Sequence, residues 1–198
     1  MVHGFALLDA PEKTVDLIAG ELTFQAYEKL QSEDSEFWTS FSSVRLWSFN
    51  FSVVGQIVDD LLVTRRLQSI TISQPVPESL NVFCVEFFFS ESCSRLTAFF
   101  ANSVVLRVIN RWKTMDTRGL AVNKILDGIR ASPTELAQAG MREVDLNSAK
   151  RNILIMVHRN VMELRDITSF HCIDHPVDPK SRIYVAFFGY NGCALFFE

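Results

Sequence analysis

The densest group of metal-ligating and nucleophilic side chains lies between residues 171 and 175. His171, Cys172 and His175 fall within this short segment, and the last two have the C-x-x-H spacing of a zinc ligand pair. Structural zinc sites usually contain two such pairs, and the sequence has no second C-x-x-C or C-x-x-H. The segment therefore predicts a metal site only if distant residues supply the remaining ligands.

The same segment is the basis for a hypothesis of cysteine catalysis. A thiol nucleophile needs a nearby imidazole and a group that orients it, and His171, Asp174 and His175 all lie close to Cys172 in the sequence. Phosphate-binding glycine loops, serine-hydrolase elbows and zinc-protease motifs are absent from the sequence. The alternative is that all four cysteines are small apolar core residues. The missing motifs favour a protein without enzymatic activity and without a cofactor.

Basic side chains on two predicted helices form a second candidate surface. Arginine can bind carboxylate or phosphate with two parallel hydrogen bonds. Such a surface could bind nucleic acid, an anionic lipid head group or an acidic protein partner, or it could be an ordinary solvated surface. The net charge of −4 makes nucleic acid the less favoured partner. The basic candidates are Arg107, Arg111, Lys150, Arg151, Arg159 and Arg165.

The spacing of apolar residues predicts an α+β fold in which a mostly antiparallel sheet packs against several helices. Alternation of apolar and polar residues predicts a meander of strands near residues 45–53, 69–73 and 83–89, and a C-terminal hairpin over 184–197 with an Asn191-Gly192 turn. Recurrence every three or four residues predicts long helices near 11–31, 95–115 and 146–166. We find no linker or internal repeat in the pattern, so residues 1–198 are expected to form a single domain.

Seventeen phenylalanines and a hydrophobic content of 48% indicate a well-filled core or a cavity for an apolar ligand. The longest uncharged stretch, residues 183–197, is too short and too interrupted to span a bilayer. The first residues lack the basic and apolar regions of a signal peptide. We therefore expect an intracellular protein, cytoplasmic or nuclear, with reduced thiols and no membrane span.

These features together favour a non-catalytic subunit that binds another protein or a second copy of itself. Its contacts are expected in the C-terminal hairpin, at Tyr184, Phe187 and Phe196, and on the basic helices. One alternative is a carrier of a hydrophobic small molecule or lipid in a Phe-lined cavity. Another is an enzyme or zinc site built on the segment from His171 to His175.

Overall fold

The computed structural model describes residues 13–18, 24–33, 40–48, 56, 59–60, 63, 65–120, 123–162, 165–189 and 192–198. Within these residues nine strands form one mixed sheet with the order β1-β2-β3-β4-β5-β9-β8-β7-β6. The strands are β1 (Thr14–Ile18), β2 (Ser43–Ser48), β3 (Ser69–Pro75), β4 (Arg95–Phe100), β5 (Lys124–Arg130), β6 (Arg142–Glu143), β7 (Ile167–Asp174), β8 (Arg182–Phe188) and β9 (Gly192–Phe197).

Five α-helices have both ends within the described residues, and they lie on both faces of the sheet. They are α1 (Phe24–Glu33), α2 (Asn81–Phe89), α3 (Asn102–Thr114), α4 (Pro133–Leu136) and α5 (Arg151–Val157), which continues as a π-helical segment over His158–Met162. Short 3-10 turns occupy Glu78–Leu80, Thr117–Gly119, Ala137–Ala139 and Leu146–Ser148. The prediction of an α+β fold with several helices is confirmed.

Strands β1 to β5 are parallel and lie side by side in chain order. The residues Thr14, Ser43, Ser69, Arg95 and Ile125 share one register position, so successive strands are 29, 26, 26 and 30 residues apart. The helices α1, α2 and α3 all contribute to one core on the same face of these strands. A strand and a helix that recur at nearly constant spacing and pack on their neighbours are typical of repeat proteins.

The remaining strands are antiparallel. β5 pairs with β9, β9 with β8, β8 with β7, and β7 with β6. The predicted C-terminal hairpin is therefore confirmed as β8 and β9, whereas Tyr190 and Asn191 of the predicted turn lie outside the described residues. Strand β5 is the switch point, since it is parallel to β4 on one side and antiparallel to β9 on the other.

The prediction of a mostly antiparallel meander is wrong, because four of the strand pairings are parallel. The expected strand at 83–89 is helix α2, whose buried side chains are Cys84, Val85, Phe87 and Phe88. Its sequence is apolar at nearly every position, so a period of two and a helical period fit equally well. This helix lets the chain cross over and return in the same direction, as a parallel pair requires.

Each of the three predicted long helices contains a break. Residues near 11–31 form β1 and then α1, and residues 95–115 form β4 and then α3. In β4 the buried residues alternate with half-buried or exposed ones, and the helical period starts only after Ala101, whose backbone is extended. Residues 146–166 form a 3-10 turn, α5 and the π-helical segment, because Ala149 and Lys150 are also extended. A run of apolar residues conceals such changes of period.

Two hydrophobic clusters lie on opposite faces of the sheet. The larger one joins the strands to α1, α2 and α3, and the smaller one joins β5, β7, β8 and β9 to α5. Phenylalanine rings in the larger cluster contact each other directly, with ring centroids 4.9 Å apart for Phe88 and Phe197 and 5.4 Å apart for Phe88 and Phe89. These phenylalanines form a packed core.

Three thiols in the larger core are expected to make the protein sensitive to alkaline pH. Burial raises the pKa of Cys84 and Cys93 from 9.0 to about 12 and also raises that of Cys193. The unfolded chain therefore loses these protons near pH 9, while the folded protein keeps them. The contribution of these thiols to the free energy of unfolding is complete below pH 9. It falls as the pH rises toward 12, by about 1.4 kcal/mol per pH unit for each thiol.

Urea unfolding at pH 8, 9 and 10 measures this effect. Burial lowers the pKa of Lys124, so between this lowered pKa and pH 10.5 the unfolded chain binds more protons than the folded protein does. In that range the contribution of Lys124 to the free energy of unfolding rises with pH and offsets part of the loss from the thiols. Substitution Cys193→Ala should reduce the dependence on pH. Equal unfolding free energies at pH 8 and pH 10 would contradict the prediction.

Candidate functional site

One face of β2, β3 and β4 is only partly buried, although parallel sheets usually have helices on both faces. The side chains of Val44, Ile70 and Leu96 point into the larger core, and their neighbours along each strand point the opposite way. Trp47 and Phe99 on that opposite side keep 47% and 41% of their surface accessible. We call this surface the open face, and it consists of Ser43, Arg45, Trp47, Ser69, Thr71, Ser73, Arg95, Thr97 and Phe99.

The open face combines hydroxyl groups, arginines and aromatic rings. The hydroxyl oxygens of Ser43 and Ser69 lie 2.6 Å apart, so the two side chains are joined across adjacent strands. The guanidinium of Arg130 lies 5.2 Å from the centre of the Phe99 ring, within the range of a cation–π contact. Aromatic residues and arginine are enriched in protein interfaces, where they contribute much of the binding energy.

A cluster of charged side chains borders the open face where β4 meets β5. The carboxylate of Asp127 is only 4% exposed, and it accepts hydrogen bonds from Arg95 Nη2 at 3.3 Å and Arg165 Nη2 at 3.2 Å. Arg95 also donates to the side chain of Asn160 in the π-helical segment. The guanidinium of Arg165 lies 3.8 Å from the centre of the Phe188 ring. We call Arg95, Asp127, Asn160 and Arg165 the arginine notch.

Gly128 explains the local position of the Asp127 carboxylate. Its φ is +83°, and a Cβ at this position would lie 2.3 Å from the carbonyl oxygen of Ala98 on β4. The β4–β5 register also shifts between Thr97 and Phe100, and the amide of Gly128 donates to Asp127 Oδ1 at 2.7 Å. Only glycine fits this left-handed, crowded bulge.

The structure does not bring the predicted metal ligands together. His171 and Cys172 are successive residues of β7 and therefore point to opposite faces of the sheet. His171 lies 3.0 Å from the hydroxyl of Ser169 and contacts the Phe187 ring, whereas Cys172 is buried in the smaller core. Among the described residues no three His, Cys, Asp or Glu side chains are grouped so that they could hold a metal ion.

His175 has hydrogen-bond partners at both ring nitrogens. Nδ1 accepts the amides of Val177 at 3.2 Å and Asp178 at 2.9 Å, so the proton lies on Nε2, which donates to the carbonyl of Trp112 at 2.9 Å. The ring also packs edge-on against Trp112. His175 therefore has a structural role in attaching the β7–β8 connection to α3.

Two titration shifts bear on the cysteine-nucleophile hypothesis. Burial raises the pKa of Cys172, which favours the unreactive thiol. Burial also lowers the pKa of His171, although the negative charge of Glu143 acts to raise it. Reactive cysteines normally have a lowered pKa. The geometry and the electrostatics around Cys172 favour a core residue.

The predicted basic residues are divided between the two faces of the sheet. Arg107 is exposed on α3 and Arg111 pairs with Glu86, while Lys150 lies on the α5 side with its Nζ 2.7 Å from Glu198. Arg151 and Arg159 are exposed, and Arg165 is in the arginine notch. The two helices therefore do not present one continuous basic surface.

The three hairpin residues predicted to make contacts are part of the core. Tyr184 and Phe196 belong to the smaller hydrophobic cluster and Phe187 to the larger one, and all three are nearly inaccessible. Both faces of β8 and β9 are covered, so apolar residues at successive positions are buried on alternate sides. The expectation that these rings form a surface is corrected by this burial.

Sequence reasoning missed the open face because it missed the repeat. Three sets of buried residues have the same internal spacing, and each set lies 26 residues after the one before it. The first set is Phe41, Val44 and Leu46, the second is Leu67, Ile70 and Ile72, and the third is Cys93, Leu96 and Ala98. This periodic pattern was the available signal. A repeating strand with one buried face would have directed attention to the polar and aromatic residues between the triplet positions.

The comparisons with known proteins identify no relative. No family model, curated protein or solved structure matches the chain. Of the described helices, none has the length and apolar character needed to cross a membrane.

Proposed function

We propose that the chain is a non-catalytic protein-interaction or complex-assembly subunit and that its open face binds a segment of a partner protein. The main support is the exposure of Trp47 and Phe99 on strands whose opposite face is fully packed. Exposed aromatic rings on a rigid support lose little conformational entropy on binding. The backbone of this surface is fixed by strand pairing on both sides of β2, β3 and β4.

The charges around the open face favour an acidic partner. Arg45, Arg95, Arg130 and Arg165 lie on or beside it, against the carboxylates of Asp16 and Asp127. The excess of positive charge among these described side chains opposes the approach of a second copy through the same face. It suits a partner segment with both apolar and acidic side chains.

The alternative of a hydrophobic carrier has weaker support. A carrier needs phenylalanine rings around an enclosed space, whereas the ring of Phe88 contacts those of Phe89 and Phe197. A surface cleft of ≈ 660 Å³ is present between the end of α3 and the β7–β8 connection. Its lining includes the charged residues Lys113, Asp116, Arg118, Asp178 and Lys180, which do not suit an apolar ligand.

Peptide selection tests the open face directly. A display library of random twelve-residue peptides is selected on the full chain, and the enriched peptides are synthesised with a fluorophore for Kd measurement. The double substitution Trp47→Ala and Phe99→Ala should weaken their binding by at least about 10-fold, because it removes both aromatic anchors.

The matched control replaces two exposed apolar residues on helices, Val82→Ala and Ile155→Ala, and should leave Kd unchanged. Thermal melts of both double variants establish that they are folded. Equal Kd values for the wild type and the Trp47/Phe99 variant would contradict the proposed function.

A further inference from the structure

We infer that the arginine notch is the subsite of the open face that binds a carboxylate side chain of the partner, with Arg165 as its principal donor. This inference rests on the proposed function and specifies the chemistry that the face recognises. The notch shares Arg95 with the open face, so one bound segment can reach both.

Arg165 is held in place and still has donors to offer. All of its side-chain hydrogen bonds to described residues use Nη2, which donates to Asp127 and to the carbonyl of Asn160. Its Nε–H and Nη1–H groups have no acceptor among the described residues, and 34% of its side chain is exposed. Each of these N–H groups can donate a charge-assisted hydrogen bond to a carboxylate.

The surroundings of Arg165 limit its motion before any ligand arrives. Its guanidinium stacks on Phe188 at 3.8 Å and is anchored by the buried carboxylate of Asp127. Its amide donates to the carbonyl of Val161 at 2.7 Å. A donor that is already oriented loses less conformational entropy when it binds a ligand than a mobile surface arginine does.

The charge of the notch selects a monoanion. Two guanidinium groups and one carboxylate leave a single positive charge, which one Asp or Glu side chain of the partner neutralises. A dianionic phosphate would leave negative charge beside the buried Asp127. The notch therefore suits an acidic peptide segment rather than a phosphorylated one.

The position of the notch sets the spacing of the recognised groups. Arg95, Thr97 and Phe99 project from the same face of β4, and a strand rises about 3.3 Å per residue, so the backbone positions of Arg95 and Phe99 are roughly 13 Å apart. An extended partner segment spans this distance with about four residues. We expect an acidic residue about four positions from an apolar one in the peptides that bind.

A double-mutant cycle with peptides enriched on the full chain tests the inference. Changing the acidic residue of such a peptide to its amide, Glu to Gln or Asp to Asn, should weaken binding to the wild type about 10-fold, and so should Arg165→Gln with the original peptide. The two changes combined should weaken binding little more than either alone, since both remove the same contact. Arg107→Gln on α3 is the matched control and should have no effect.

Independent effects that multiply to about 100-fold would overturn the inference, as would a phosphoserine peptide that binds more tightly than its Glu counterpart. Thermal melts confirm the fold of Arg165→Gln, and Arg165→Lys provides a second variant that keeps the charge but loses the planar guanidinium and its Nε–H and Nη1–H donors. The peptide substitutions on wild-type protein keep the test decisive if either variant unfolds.

The same peptides distinguish a failure of the proposed function from a failure of this inference. Peptides whose binding does not change in the Trp47/Phe99 variant would contradict the proposed function itself. Peptides that need both rings but show no coupling to Arg165 would contradict only this inference.

Discussion

Substitution Phe196→Asp is expected to abolish folding. Phe196 is fully buried on β9, paired with Ile125 on one side and Tyr184 on the other, within the cluster covered by α5. Removal of a buried phenylalanine ring costs about 3–5 kcal/mol, and burying an unpaired carboxylate costs several kcal/mol more. The sum is comparable to the whole stability of a typical domain, about 5–15 kcal/mol.

Circular dichroism and thermal melting measure this effect, and Phe99→Asp is the matched control. Phe99 has the same side chain but lies on the open face, so its replacement should keep the fold and change stability by only about 1 kcal/mol. Phe196→Leu should retain a cooperative melt, because a leucine fills most of the same space. A folded Phe196→Asp protein with a normal melting temperature would show that the hairpin is a surface element.

Substitution Lys124→Met is expected to destabilise the protein by about 3–5 kcal/mol, through loss of a buried charged donor. The Nζ of Lys124 donates to the carbonyl oxygens of Phe88 at 3.0 Å, Ser90 at 2.7 Å and Cys93 at 2.5 Å. All three ammonium protons are thereby used. Lys124 begins β5 and ties the end of α2 to the loop that precedes β4, so methionine would leave three carbonyls without this donor.

Thermal melting tests the role of Lys124 with Lys180→Met as the control. For a chain of this length each kcal/mol corresponds to about 2–4 °C, so Lys124→Met should lower Tm by roughly 10–15 °C. Lys180 is exposed, and its replacement should shift Tm by no more than about 2 °C. Similar Tm values for the two variants would contradict the role assigned to Lys124.

Local features of the fold could be predicted from the sequence where one residue type has one physical solution. The capping box of Ser132 and Glu135 is one such feature, since the hydroxyl and the carboxylate satisfy the first amides of a helix whatever surrounds it. The inner face of α5 and its π-helical continuation, Ile153, Val157 and Val161, is buried as its spacing predicts. The hairpin of β8 and β9 also follows from neighbouring residues alone.

The candidate site could not be predicted in the same way. Arg165 was identified as one basic residue among several, but its ion pair with Asp127 joins residues 38 positions apart and depends on how β5 passes the end of the π-helical segment. Trp47 lies in the predicted strand 45–53 and Phe99 in the predicted helix 95–115, and neither prediction states whether the ring is exposed. Whether an aromatic ring is buried or exposed depends on which face of the sheet receives the helices, and that is a property of the assembled fold.

The sequence by itself determined the fold class, the C-terminal hairpin and the apolar residues that fill the core, because these depend on local hydrogen bonding and on the transfer of apolar surface out of water. Only the tertiary structure decided the direction of the strands, the burial of Tyr184, Phe187 and Phe196, and the exposure of the open face. The physical reason is that strand direction is set by crossover connections that return on one face of the sheet, and an alternating pattern of side chains is identical for parallel and antiparallel neighbours.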